Sequence, residues 1–265
     1  MSTNVSHNSD FIYLHKVGVG RWMKALRDGE LSFAALGYYI YTAQKYGNKD
    51  QGDENEGVFA RLKKDDGRIQ EAYDYLGKDL EVIQDEEDYV KLRRSSSRYI
   101  PTFCIYGLTV GDINSSSSIT SGGIQTIPHY YDDRMFSGFT ESFAARNMMS
   151  EDAILSHFLV GAEVFKNRLL AALVHKGIGF KARQINYTKY SEGEFYIDPV
   201  GDKREELFYK FPYYSYQKEI RICLPDIHLM SIFDRFPLSI GKIPEARLSI
   251  GTKLYAEIKA DIIER

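Results

Sequence analysis

Cysteine is nearly missing from this chain: Cys104 and Cys223 are the only two in 265 residues, each set in an apolar, strand-like run. Without a Cys-x-x-Cys spacing they exclude a disulfide framework and a thiolate metal centre, and they read as reduced core residues of a cytoplasmic protein. The 6 histidines contain no His-x-x-x-His pair, so no metal is expected either. No apolar run approaches the roughly 18 residues that a membrane helix needs, and the polar opening Met1–Asp10 holds no apolar leader segment. The expectation is therefore a soluble protein without a membrane partner. An excess of positive charge is also lacking. With 34 Lys and Arg against 37 Asp and Glu the net charge is −3, which excludes a generally basic nucleic-acid binder. Local basic groups remain, notably Arg93 and Arg94 with Arg98, and Lys181 with Arg183 and Lys189.

Tyrosine, by contrast, is abundant at 20 residues, within an aromatic share of 14% and an apolar share of 43%. Such content supplies a globular core, and the many phenols favour groove-like surfaces where rings stack and hydroxyls hydrogen-bond. The length suits one substantial domain: residues 1–10 are expected as a flexible tail and 11–265 as a single domain.

Along that domain, Phe11–Lys16 is a short strand with His15 near its end. Val19 to Leu26 follows with helical rhythm (Trp22, Leu26), Gly29 stops it, and Glu30–Phe33 restarts an extended run. Asp65 to Lys91 is charged, with Tyr73, Leu76, Leu80 and Ile83 at helical spacing, and predicts one or two surface helices. Arg93–Arg98 reads as a polar hinge into a strand at Tyr99–Leu108, and the Ser-rich stretch Asn114–Gly123 as a mobile loop. Tyr130–Phe143 mixes aromatics with charges and suits a cleft wall. A strand at Ile154–Val160 precedes an amphipathic helix at Ala162–His175 with Phe165, Leu169, Ala172 and Leu173 inward, closed by Gly177. Further strands are predicted at Phe180–Tyr190, Leu207–Phe211, around Glu219, and at Ile250–Ile258. Strands outnumber helices and follow one another late in the chain, which predicts an α+β fold with a split, largely antiparallel sheet flanked by helices.

The segment Tyr214–Pro225 is the most specific. Ile220, Ile222 and Leu224 alternate with Arg221 and Cys223 as in a half-buried strand, and a carboxylate, Glu219, stands inside it. Gln217 and Glu219 share the face opposite those isoleucines, so both side chains point into one space. This Gln-x-Glu pair resembles the closing motif of ADP-ribosyltransferases. The order of an early histidine, tyrosines after the first helix and a late glutamate is similar to the histidine-tyrosine-glutamate branch of that family. The resemblance implies a split-sheet fold that uses NAD+ as substrate and no metal. His15 would then bind a ribose, Tyr38 or Tyr46 would stack on nicotinamide, and Arg61 or Arg21 would assist. Glu219 would hold the nicotinamide ribose and stabilise its oxocarbenium-like centre, while Gln217 would face the acceptor.

A second resemblance spans most of the chain. Gly52–Gly57 resembles the acidic Asn-Asp-x-x-Glu-Gly loop of a large bacterial family, whose later Tyr-Glu-Lys-Glu-Trp-Arg hallmark is matched by Tyr216–Arg221. Ile100–Cys104 would be its cysteine-bearing strand and Ala162–Leu169 its helix. The match departs at Ile220, where the family has tryptophan, and at Gln217, where it has glutamate. The implied function is a mono-ADP-ribosyltransferase toxin of a toxin–antitoxin or phage-defence system, held by an inhibitory antitoxin protein. Its acceptor would be nucleic acid, single-stranded RNA foremost, because Tyr130, Tyr131, Tyr213 and Tyr214 could stack on bases while Arg93, Arg94 and Arg98 track phosphates. The alternatives are a protein acceptor, an NAD+ hydrolase, and a non-catalytic interaction module on the same fold.

Overall fold

The structure is a computed structural model that describes residues 11–46, 52–86, 88–109, 119–121, 124–129, 155–187, 194–200, 204–250 and 256–260. In chain order, β1 (Phe11–Val19), α1 (Gly20–Arg27), β2 (Glu30–Ala35) and α2 (Leu36–Tyr46) open the fold. Next come β3 (Val58–Lys63), α3 (Arg68–Leu76), β4 (Leu80–Gln84), β5 (Tyr89–Arg94) and β6 (Pro101–Thr109). They are followed by β7 (Ile119–Ser121), β8 (Ile124–His129), β9 (Leu155–Gly161) and α4 (Ala162–His175). The last third supplies β10 (Lys181–Gln184), β11 (Asn186–Tyr187), β12 (Phe195–Tyr196), β13 (Tyr209–Lys210) and β14 (Glu219–Cys223). Finally come β15 (Arg235–Ser239), β16 (Arg247–Ile250) and β17 (Ala256–Ala260). The fold is α+β with largely antiparallel sheets, and β11 pairs with β13 in parallel.

Two compact units share the chain. The first takes residues 32–104 and 176–237, with 1–6; the second takes 7–31, 105–175 and 238–265. In the first unit β12, β3, β5 and β4 pair in that order around Phe59, Leu62, Ala72 and Leu92. There β14 lies between β10 and the start of β6, so it is an inner strand with both neighbours in place. A second core, Leu36, Ile100, Ile185, Leu207, Phe208 and Cys223, packs behind it. In the second unit β1 runs antiparallel to β9, and β16 pairs β9 on its other edge. Helix α1 buries Met23 and Leu26 there, and α4 buries Phe165, Leu169 and Leu173. The first helix ends as its sequence dictates: Gly29 takes φ 89°, and a Cβ there would lie 2.1 Å from the Gly241 carbonyl oxygen.

Several expectations are corrected. The predicted surface helices of Asp65–Lys91 reduce to α3; Leu80 and Ile83 fall in β4, which pairs β5 antiparallel. Trp22 is 55% exposed and Met23 takes the inward position beside Leu26. Leu207 and Phe208 belong to a 3-10 turn, and only Tyr209–Lys210 is extended. Arg93 and Arg94 are no hinge: they end β5 and are buried. Within the Ser-rich stretch, Ile119–Ser121 form β7 against β8. The rest of that stretch, the tail 1–10, Tyr130–Phe143 and Lys189 lie outside the described residues. Among the described residues no helix is long and apolar enough to cross a membrane.

Candidate active site

Glu219 opens β14, and its backbone is fixed at both groups. Its N–H donates to the Tyr187 hydroxyl at 2.9 Å, and its carbonyl accepts from Ile185 N–H at 2.9 Å. The face opposite Ile220 and Ile222 is covered too, by Lys210 and by Glu56 of the acidic loop. Glu219 is 2% exposed, Arg221 is 0% exposed and Cys223 is 0% exposed. A buried charge is stable only when paired and hydrogen-bonded, and every charge on this face is. Arg221 Nε donates to Glu219 Oε1 at 2.8 Å, and Lys210 Nζ donates to Glu219 Oε2 at 2.7 Å.

The acidic loop completes the group. Glu56 grips Arg221 bidentately, at 2.6 Å and 2.8 Å, and lies 3.3 Å from Lys210 Nζ. A further Arg221 N–H donates to the Leu207 carbonyl at 2.6 Å. Two carboxylates thus face two cations, and all four belong to the first unit. The loop is pressed close: Tyr214 donates its hydroxyl proton to the Gly52 carbonyl at 3.0 Å. Gly52 itself abuts α2, where a Cβ would come 2.3 Å from the Tyr39 carbonyl oxygen and 2.6 Å from Ala43 N. Only glycine allows that approach.

Protonation follows from this packing. Burial alone would raise the Glu219 pKa, but Arg221 and then Lys210 outweigh it and hold the carboxyl well below the usual range. Burial opposes the Lys210 charge, yet Glu219 and Glu56 keep the ammonium protonated far above its ordinary pKa. Asp53, in the same loop, goes the other way. Burial first, and Glu56 beside it, push its carboxyl up to about 6 against Lys210 and Asn55. One Asp53 oxygen accepts from the Asn55 backbone N–H at 2.8 Å; the other, Oδ2, has no hydrogen-bond partner among the described residues. The Tyr187 phenol is pushed up by burial and by Glu219. The half-buried Cys104 thiol also favours the ionised form of Glu219.

The expected site residues separate into those that join this group and those that do not. Gln217 joins it, though not from a strand: it ends a 3-10 turn, and a left-handed Lys218 (φ 43°) turns the chain into β14. Its Oε1 accepts from Lys210 Nζ at 3.2 Å, so Gln217 and Glu219 do share one space. His15 lies in the second unit at 0% exposure, its Nε2 3.1 Å from Nδ1 of His157 with the rings stacked. Tyr38 is half-buried beneath the Arg235 guanidinium, 4.2 Å from its ring centroid. Tyr46 ends α2, and its side chain lies outside the described residues. Arg61 is bound to Asp85 at 2.6 Å and Glu86 at 2.8 Å over the Tyr89 ring. Arg21 stands over exposed Trp22. The basic residues expected to track phosphates are turned inward or paired. Arg93 donates to the Glu54 carbonyl at 3.2 Å, Arg94 lies 3.5 Å from Glu206, and Arg98 pairs with Glu81.

Lys210 and Tyr187 were not singled out in the sequence; Asp53 and Glu56 appeared only within the loop resemblance, and Arg221 only within the strand alternation and the Tyr216–Arg221 resemblance. The available signal was Arg221 beside Cys223 on the face opposite the isoleucines; where that face is covered, a buried guanidinium requires an acid partner. Among the described residues no group of His, Cys, Asp or Glu could hold a metal ion. No family model, no curated protein and no solved structure matches this chain.

Proposed function

We propose that this chain breaks the glycosidic bond of NAD+ and transfers the ADP-ribose to an acceptor, with Glu219 as the catalytic carboxylate. One observation carries the reading: the two segments that bear the resemblances, Gly52–Gly57 and Tyr216–Arg221, meet on a single guanidinium. Arg221 takes Glu56 from the first at 2.6 Å and Glu219 from the second at 2.8 Å. A carboxylate kept ionised in the interior can oppose a growing positive charge with little screening, worth on the order of 3 kcal/mol for a well-placed group. In the reaction the bond from the ribose anomeric carbon to the pyridinium nitrogen breaks, and its electron pair leaves with neutral nicotinamide. The oxocarbenium-like carbon is held beside Glu219 until the acceptor nucleophile bonds to it and gives up its proton. Gln217 shares the Lys210 ammonium with Glu219 and, in this reading, would meet the acceptor.

For the acceptor, Tyr213 remains an exposed ring at 50%, edge-on to buried Tyr214, and supports base stacking. The arginines do not add to it, so single-stranded RNA rests on that ring alone. An enzyme of this kind acting in its own cell needs restraint, and an inhibitory partner protein belongs to the same proposal. A second reading is favoured by the closed pairing itself. Both Glu219 oxygens are already engaged, as in a purely structural ion network, which fits a non-catalytic interaction module. Labelled NAD+ added to a lysate with the wild-type protein, followed by nuclease or protease digestion, separates these outcomes. A nuclease-sensitive label supports the RNA acceptor and a protease-sensitive one a protein acceptor. Free labelled ADP-ribose marks a hydrolase. No turnover by wild type above that of the lysate alone supports the interaction module, and turnover undiminished in Glu219→Ala shows that Glu219 is not the catalytic carboxylate.

A further inference from the structure

We infer that Lys210 is a displaceable internal cation that closes Glu219, and that the place of its ammonium receives a singly charged organic cation of the pyridinium class. The choice of a pyridinium rests on the transfer chemistry proposed above; the displaceable cation rests on geometry alone.

The members of the charged quartet are not equally fixed. Arg221 has a side chain at 0% exposure and is tied to Glu219, to both oxygens of Glu56 and to the Leu207 carbonyl. Glu56 and Glu219 are at 1% and 2%. Lys210 is the most open at 10%. It carries a compact, readily hydrated charge on a flexible four-carbon stem, whereas Arg221 is a rigid fork held on several sides. Its strand, β13, is two residues long and, among the described residues, pairs with β11 alone, itself two residues. Arg204 (φ 47°) and Lys218 (φ 43°) bracket the segment, and they are the only non-glycine residues with positive φ among the described residues. L-residues rarely adopt that backbone, so both ends of the segment that delivers Lys210 are high-energy turns.

The surroundings of the ammonium are those of a cation receptor. Glu219 Oε2, Gln217 Oε1 and Glu56 Oε1 lie at 2.7 Å, 3.2 Å and 3.3 Å, and the Tyr214 ring centroid at 5.2 Å. Three acceptor oxygens with an aromatic face suit a flat delocalised cation as well as an ammonium. Asp53 adds an independent mark: it is 1% exposed, feels the Lys210 charge, and keeps Oδ2 without a hydrogen-bond partner among the described residues. An acceptor is thus unspent in the loop that carries Glu56. Exchanging Lys210 for a monocation leaves the quartet's charge unchanged, whereas a neutral ligand would leave one carboxylate uncompensated.

The test uses the N-methylnicotinamide cation as probe and neutral nicotinamide as control. With wild-type protein, saturating cation should raise acylation of the Lys210 amine several-fold by mass spectrometry, and nicotinamide should not. Lys210→Met should bind the cation about tenfold more tightly than wild type, with nicotinamide affinity unchanged, and adding Glu219→Gln should erase the gain. Should Lys210→Met fail to fold, n-propylammonium, but not propanol, should restore the thermal stability of Lys210→Ala. Unchanged Lys210 acylation at saturation, an equal gain for the neutral control, or no rescue by the alkylammonium would each overturn the inference. Nicotinamide release from NAD+ is measured separately. A cation gain without release leaves the displaceable lysine standing and removes the transferase; release without the gain does the reverse.

Discussion

Asp53 is the residue at which burial and a like charge act together against ionisation, raising its pKa from 3.8 to about 6. For an acid raised on folding, the native state keeps a proton that the unfolded chain has already lost. Its contribution is therefore full below pH 3.8 and disappears as the pH climbs to about 6. About two pKa units correspond to roughly 3 kcal/mol on this almost fully buried group. Asp53→Asn keeps the shape and removes the titration. It is expected to melt about 5 °C or more above wild type at pH 8 and to lose that advantage at pH 4, read by thermal denaturation. An equal difference at both pH values would show that Asp53 is not the titrating group. Glu219 has the opposite sign. Its depressed pKa gives stability that is present above the ordinary carboxylate range and lost only as the pH falls through the folded value.

At the scale of elements, the contact between the acidic loop and α2 should be the least forgiving. Gly52→Ala places a methyl group 2.3 Å from a backbone oxygen, which forces the loop and its Glu56 away from the helix. A loss of about 2 kcal/mol or more in urea denaturation is expected. Unchanged stability would mean that the loop is not pinned there. How far such elements were legible varies with the range of the forces that decide them. The strand–helix–glycine–strand opening and the helix Ala162–His175 follow from local periodicity and capping, and the structure has them. Leu80 and Ile83 misled because a spacing of three residues suits a helix, while the pairing of β4 with β5 is decided by contacts that periodicity cannot see. For β14 the alternation of isoleucines was readable, but the burial of its other face was not. That burial depends on partners as distant in sequence as Glu56 from Arg221. Gln217 reached the predicted space by a different route, through a left-handed turn at a lysine, where sequence gives no glycine to announce it.

For the whole molecule, a net charge of −3 hides how much charge is internal. Arg93, Arg94 and Arg221 are buried, so reading clustered arginines as an outer nucleic-acid surface placed charge on the wrong side of the fold. His15 pairs with His157 in the second unit, and Glu219 gathers its partners in the first. The proposed function therefore stands on one ionised carboxylate and the cation that covers it. Its most direct test is nicotinamide release from NAD+ by purified protein, comparing wild type with Glu219→Gln, and with Lys210→Met/Glu219→Gln to keep the buried charges balanced. Release by wild type, reduced about a hundredfold or more in both variants while their circular dichroism spectra stay native, is the predicted result. Release at the wild-type rate by either folded variant, or none by wild type, would contradict it.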